Sequence, residues 1–277
     1  MITINPIDVL LWTLRRNEKD VVNLYDSLSP VMQVATGGSM LNFGYWTKHT
    51  ADPISAQKNL CEFFGNLAEL EKANIAIDVG SGLSSPAIFW RNCFDKLNLY
   101  CVNINLKQLR FSGQQNNIEF INSTSTKLPF ADNSVDRVLA LESSQHFKPF
   151  KNFIFESKRI LKKSGILALA LPVTRSNNSI RNLGILKFTW SSEHYNVSMI
   201  KRLVISSGFT INEELLIGNQ VYVPLSDYYV KNRDFLKKSI TQRYPDFVEK
   251  ILFKSILKMK KASEEKIIDY LILKCKL

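Results

Sequence analysis

The stretch Ala76-Ile77-Asp78-Val79-Gly80-Ser81-Gly82 limits the fold of this chain more than any other segment. An apolar run closed by glycines reads as a buried strand ending in a tight turn, and a helical pattern follows from Ser84. In an open α/β sheet such a turn presents backbone N–H groups to a nucleotide-like ligand. Glycine is favoured there because any side chain would hold the ligand off the backbone.

The rhythm around this turn extends the argument. Strands are expected at Ile75–Val79, Leu99–Ile104, Ile118–Asn122, Val135–Leu141, Ile166–Leu171 and Phe209–Leu216, with a late strand at Ile267–Cys275. Helical spacing marks residues 1–30, through Leu10, Leu11, Leu14, Val21, Val22, Leu24, Tyr25 and Leu28, and also Ile54–Leu70, Ser84–Phe94, Phe150–Leu161, Val197–Ser207 and Leu225–Lys261. Lys162-Lys163-Ser164-Gly165 reads as a basic helix end with its glycine cap. Strands alternating with helices over short loops predict an α/β, doubly wound, mostly parallel sheet with helices on both faces. The residues that follow strands 1 to 4 then converge on one crevice.

At 277 residues and 45% hydrophobic, the chain suits a single elaborated domain. Its longest apolar runs are far too short to cross a bilayer. The patch Ile7–Leu14 lacks a basic leader and a cleavage site, so it reads as an amphipathic helix in a cytoplasmic protein. Four scattered cysteines and three histidines offer neither a disulfide framework nor metal-ligand spacing, so no metal is expected. The net charge of +11 is uneven: from Lys231 to Leu277 thirteen Lys/Arg stand against six Asp/Glu. That basic region could meet an acidic carrier or an anionic membrane surface; no nucleic-acid motif accompanies it. A lysine-rich solvated face is the plainer reading.

Four motifs give the chain a family likeness: Leu41-Asn42-Phe43-Gly44-Tyr45-Trp46, Asp78-Val79-Gly80-Ser81-Gly82, Leu128-Pro129-Phe130-Ala131-Asp132-Asn133-Ser134-Val135-Asp136, and Glu142-Ser143-Ser144-Gln145-His146-Phe147. With these the chain resembles the class I S-adenosylmethionine-dependent methyltransferases, in the branch that methylates natural products, sterols, tocopherols and amines. The resemblance covers roughly Met40 to Gly218 and the last strand. It implies seven strands in the order 3-2-1-4-5-7-6 with an antiparallel final strand, and S-adenosyl-L-methionine as cofactor. Residues 1–50 would form a helical lid, and 173–196 and 225–262 substrate-side insertions, on a single domain of 1–277.

The same resemblance suggests site residues. Gly80, Ser81 and Gly82 would approach the methionine part of the cofactor, with Asp78 capping the loop or facing the ammonium. Tyr45 and Trp46 would close over the sulfonium, whose positive charge favours an aromatic face; packing onto the core is the alternative. Asn103 would meet the ribose hydroxyls, Ile104 would join the cofactor site, and Gln108 would be a polar cofactor contact; a solvated helix glutamine is the alternative for Gln108. Thr124, Ser125 and Thr126 would meet the adenine, and Glu142 would orient the cofactor or its loop.

Three departures stand out. Ser84 stands near the usual third small residue of the first loop. Asn103 occupies the strand-2 position where the family often has an acid. Thr124 occupies the place, four residues before Leu128, where an aspartate commonly accepts from the adenine amino group.

Methyl transfer from a sulfonium is an in-line displacement, so most of the task is holding the nucleophile in line. A hydroxyl nucleophile must also lose its proton. His146, at the mouth of the crevice, is the candidate general base; a loop-holding histidine is the structural alternative. Phe43, Trp190, His194 and Tyr228 would contact a hydrophobic or ring-bearing small molecule. The expectation is therefore methyl transfer to such a molecule, on oxygen. The alternatives are a non-methylating cyclisation or rearrangement on the same fold, and a non-catalytic binding partner.

Overall fold

The computed structural model describes residues 15–112, 117–190 and 193–277, so the periodic positions Leu10, Leu11 and Leu14 lie outside the described residues. In chain order the main elements are α1 (Glu18–Thr36), α2 (Pro53–Leu67), β1 (Ile75–Val79), α3 (Ser85–Cys93), β2 (Asn98–Asn103), α4 (Leu106–Phe111), β3 (Ile118–Asn122), β4 (Val135–Leu141), α5 (Phe150–Ile160), β5 (Leu161–Thr174), α6 (Leu186–Thr189), α7 (Val197–Ser206), β6 (Thr210–Leu216), α8 (Gly218–Lys231), α9 (Arg233–Thr241), α10 (Asp246–Glu264) and β7 (Ile268–Lys276).

The seven strands form one sheet in the order β3-β2-β1-β4-β5-β7-β6. The first five run parallel, and β7 lies antiparallel to both β5 and β6. Alternate side chains face opposite ways along a strand, and the two cores follow that period. Ala76, Leu99, Cys101, Leu139, Ala168 and Ile272 join one cluster with residues of α2, α3, α8 and α10. Ile77, Val79, Val102, Val138, Leu167 and Leu273 join the other with residues of α5 and α7. Strand segments covered on both faces are largely apolar, which is why Val138–Leu141 of β4 and Ile166–Leu171 of β5 show no polar alternation.

One connection differs from expectation. α5 ends at Ile160 and β5 begins at Leu161, with no glycine cap between them. Leu161 pairs with Val135 and Ile166 with Arg137, so Lys162–Gly165 swell out of the strand as an irregularity in the ladder. Gly165 is needed for space: a Cβ there would lie 2.7 Å from Leu161 Cδ2.

α1 begins with a reciprocal cap, Asn17 Oδ1 accepting from the Asp20 N–H and Asp20 Oδ2 from the Asn17 N–H. It continues past Pro30 and ends at Gly37, whose φ of 77° is left-handed. The helix lies across the strand tips. Asn105 Nδ2 and Lys107 Nζ donate to Asp26 at 2.8 and 2.6 Å, and Gln108 Nε2 donates to Ser29 Oγ at 3.0 Å. Val31 packs with Ile240, Tyr244 and Val248 of the C-terminal helices.

Part of the basic excess is held in ion pairs, with Lys274 largely buried and Lys260 at the surface. Lys274 pairs with Glu69 and Glu213, and Lys260 with Asp227. Among the described residues, no helix is long and apolar enough to cross a membrane.

Candidate active site

A cavity of about 600 Å³ opens beyond the C-terminal ends of β1, β2, β3 and β4, roofed by α1 and closed at its far end by α6, α8 and α10. That volume lies in the range of small-molecule sites. The strand-tip end is polar, with Gly80–Gly82, Asn103, Asn105, Ser123, Ser125 and Glu142. The far end is apolar, with Leu225, Val248, Ile251, Leu252, Ile256 and Met259.

The two glycines of the first loop do different jobs. Gly80 and Ser81 donate their N–H groups to the Val102 carbonyl. Gly80 has φ 74°, and a Cβ on it would sit 2.5 Å from Ser143 Cβ, so its bareness lets the β4 loop pack against the β1 loop. Gly82 has φ 56°, and a Cβ there would meet only Leu41 Cδ1 at 3.7 Å. Gly82 is the backbone left open to a ligand. Ser84 is buried and left-handed at φ 57°, and donates to Ser81 Oγ at 3.2 Å, so a non-glycine residue completes the turn.

Asp78 is buried beneath this loop and is not on the cavity wall. Burial pushes its carboxyl up to about 7. Asn103, Ile104, Gln108 and Ser125 line the cavity. The Asn103 amide donates to the Gly82 carbonyl at 3.1 Å and to Gln108 Oε1 at 3.0 Å, and so joins the glycine loop to α4. Thr124 and Thr126 are not on the wall; their hydroxyls lie 3.1 Å apart, and that of Thr124 donates to Glu18 Oε1 at 2.5 Å.

Glu142 closes β4 with a left-handed φ of 49°. Its carboxylate accepts from the Phe43 N–H at 2.9 and 3.1 Å and from the Tyr270 hydroxyl at 2.9 Å. Burial pushes it up to about 8, against the lowering effect of those hydrogen bonds. It therefore carries a proton near neutral pH and pins the Leu41–Trp46 segment to the sheet.

That segment divides at Gly44, whose φ of 87° is forced where a Cβ would lie 2.6 Å from Ala56 Cβ. Leu41, Asn42 and Phe43 face the cavity. Tyr45 stacks on Phe63 at 5.3 Å, and Trp46, 7% exposed, lies 5.8 Å from Tyr228. Neither is on the cavity wall. The backbone turn at Gly44 sends both rings into packing against α2 and α8, away from the place expected for a cofactor cover.

His146 sits in a single 3-10 turn after β4. The Tyr25 hydroxyl of α1 lies 2.8 Å from His146 Nε2, and the rings meet edge-on at 5.2 Å. Gln145 Nε2 donates to the Glu142 carbonyl at 2.7 Å and approaches His146 Nε2 at 3.3 Å. The Gln145 amide nitrogen can only donate, which suits Nε2 as the acceptor nitrogen with the imidazole proton on Nδ1. Burial pushes the imidazole pKa down to about 3, so it is neutral.

Of the expected substrate contacts, Phe43, Trp190 and Tyr228 line the cavity. His194 does not; its Nε2 lies 3.3 Å from the Lys187 carbonyl and its ring stacks on Trp190 at 6.0 Å. Burial, then the nearby Arg16 charge, lowers its pKa. Sequence reasoning did not single out Tyr25 or Glu18. Tyr25 shares the apolar spacing of α1 and reads as core, while Glu18 reads as a first-turn acid suited to the helix dipole.

The wall suits a sulfonium nucleoside. Among the described residues no lysine or arginine lines the cavity, so a cation there meets no like charge. The bare Gly82 backbone admits close approach, and Asn103 and Ser125 offer polar partners at the strand tips. No cluster that could hold a metal occurs among the described residues.

The chain is similar to known proteins in both sequence and fold. A methyltransferase domain family matches residues 77–169. The chain is 26% identical over 166 residues to erythromycin 3''-O-methyltransferase of Saccharopolyspora erythraea, covering 57% of this chain and 54% of that protein. It is 26% identical over 152 residues to 27-O-demethylrifamycin SV methyltransferase of Amycolatopsis mediterranei, covering 52% and 55%. It thus spans about half the length of these curated relatives. Among solved structures, the cyclase SpnF superposes with a TM-score of 0.77 at 19% identity, covering 94% of this chain and 96% of the other. The cyclopropane synthase MmaA2 of Mycobacterium tuberculosis gives 0.78 at 13%, covering 96% and 97%. Residues 77–169 match a methyltransferase domain family, and the chain has the fold of the class I S-adenosylmethionine-dependent methyltransferases.

Proposed function

We propose that this chain methylates a hydroxyl group of a small apolar molecule, with His146 as the terminal proton acceptor. The observation that carries the reading is the Tyr25–His146 pair, a phenol and a neutral imidazole in hydrogen-bond contact on the wall of a cavity that no lysine or arginine lines among the described residues. S-adenosylmethionine would supply the methyl group as a sulfonium and leave as the neutral thioether S-adenosylhomocysteine. The protein's share is positioning and proton transfer. Gly82, Asn103 and Ser125 border the nucleoside, while Phe43, Trp190, Tyr228 and the aliphatic side chains of α10 hold the acceptor molecule.

As the substrate oxygen bonds to carbon, its proton passes to Tyr25 Oη, and the phenol's own proton passes to His146 Nε2. No tyrosinate accumulates, which matters because burial raises the Tyr25 pKa well above its ordinary value. Burial keeps His146 neutral, so its Nε2 carries no proton before transfer.

The test is methyl transfer from labelled cofactor to a panel of hydroxylated macrolides and other apolar alcohols, chosen because the relatives are named for such acceptors. His146→Ala is expected to lower turnover by roughly 10²–10⁴, the usual share of general-base catalysis, with S-adenosylhomocysteine affinity within a few-fold of wild type. Turnover close to wild type in that variant would remove His146 from the mechanism.

A second reading is favoured by one observation, the likeness over almost the whole chain to a structure described as a cyclase. On that reading the apolar lobe folds a substrate for ring closure and no methyl moves. Product formed without label supports it.

A further inference from the structure

We infer that Glu18, carried on α1, is the carboxylate that accepts a hydrogen bond from the exocyclic amino group of the cofactor's adenine. The inference rests on the cofactor reading above.

Among the described residues only two carboxylates line the cavity, Glu142 and Glu18. Glu142 is occupied with the Phe43 N–H and the Tyr270 hydroxyl. Glu18 is exposed at the β3 end of the cavity, and its Oε1 accepts from the Thr124 hydroxyl. The strand tips bring no acid of their own to the wall there: Asn103, Asn105, Ser123 and Ser125 are all neutral. The amide hydrogens of Asn103 are already given to Gly82 and Gln108, so it donates to nothing further. Thr124, in turn, spends its hydroxyl proton on Glu18 and acts as a positioning residue for that carboxylate.

The helix sets the spacing. Tyr25 covers the reacting end at His146, and Glu18 lies seven residues earlier, two turns along the same face. At the rise of an α-helix this separates them by about 10 Å, a span comparable with ribose plus purine. One rigid helix thus touches both ends of the nucleoside pocket. The adenine amine is a donor and a carboxylate acts only as an acceptor, so their bond is charge-assisted. α1 is held in place by Asp26 to Asn105 and Lys107 and by Ser29 to Gln108, so Glu18 is presented from a braced element.

The experiment is titration calorimetry of the full chain with S-adenosylhomocysteine and with the analogue that lacks only the 6-amino group, for wild type, Glu18→Ala and Glu18→Gln. Wild type is expected to prefer the amino compound by about 10–100-fold, the range for a hydrogen bond to a charged group. Glu18→Ala should lose that preference while binding the analogue as wild type does, and Glu18→Gln, which keeps a neutral acceptor, should fall between. Equal losses for both compounds, or no loss for either, would overturn the inference while leaving the cofactor reading intact. Wild type that binds neither compound would overturn both. Circular dichroism with matched melting temperatures shows that the variants retain α1.

Discussion

The hydroxyl of Tyr25 lies 2.8 Å from Nε2 of His146 and joins the roof helix to the loop that follows β4. This contact between residues 121 positions apart links the proton acceptor to the element that covers the cavity. Tyr25→Phe removes the hydroxyl without emptying the space of the ring. We expect turnover to fall about tenfold or more, since the relay loses its middle member and the roof its fastening. S-adenosylhomocysteine binding by calorimetry should change little. Unchanged turnover would show that the substrate hydroxyl reaches His146 directly.

The pH dependence of turnover carries a second prediction. An ordinary histidine base gives an acid limb near 6.5, where protonation removes it. Burial lowers the His146 pKa to about 3, so the imidazole stays unprotonated down to that value. The rate under saturating cofactor should therefore be flat from pH 5.5 to 7. A limb centred near 6.5 that disappears in His146→Gln would contradict this environment.

Gly80 and Gly82 should separate in their effects. Gly80→Ala drives a methyl group into Ser143 Cβ and is expected to destabilise the fold markedly. Gly82→Ala meets only a distant Leu41 methyl, so its stability cost should be about 1 kcal/mol, that of a left-handed alanine. Its main effect should be weaker S-adenosylhomocysteine binding, because the added carbon occupies the open backbone. Thermal melts with and without the ligand report both quantities; a normal ligand-induced shift in Gly82→Ala would argue against close approach there.

Glu142 gives a stability prediction whose sign is fixed. Its folded pKa of about 8 lies above its ordinary 4.5, so the folded state binds more protons between those values. Stability from this group is complete below pH 4.5 and is lost as pH rises through 8. Glu142→Gln keeps an acceptor for Phe43 and Tyr270 and cannot ionise. Relative to wild type its melting temperature should rise on going from pH 5 to pH 8.5, by about 2–5 °C. A difference that does not vary with pH would mean that the carboxyl titrates normally.

Much of the sheet was legible in the sequence because strand segments covered on both faces are largely apolar. β1, β3 and β4 match the expected bounds, and the glycine turn lies where the apolar run stops. Lys162–Gly165 misled because its composition suits a helix end, while the pairing of Leu161 with Val135 draws the chain straight into the sheet. Local propensity gave way there to a non-local ladder. Tyr45 and Trp46 misled for a related reason: the approach of Ala56 to Gly44, which turns both rings away from the cavity, joins segments twelve residues apart and leaves no local trace. Tyr25 was hidden because a residue at helical apolar spacing reads as core, and only the folded chain shows that its hydroxyl reaches His146. The crevice itself was foreseeable from strand order alone; which groups around it still have hydrogen bonds to give was not.

β7 sits between β5 and β6, yet it is translated after both. On the ribosome, the edge strand β6 emerges before β7, its neighbour in the sheet, while the five parallel strands already have theirs. The waiting extends to catalysis: the Tyr270 hydroxyl that steadies Glu142, and the Asp269 carboxylate that accepts from the Gly218 N–H, both arrive on that late strand. A nascent chain halted short of residue 268 would carry every glycine of the first loop and the His146 turn, and still hold them in an unfinished pocket.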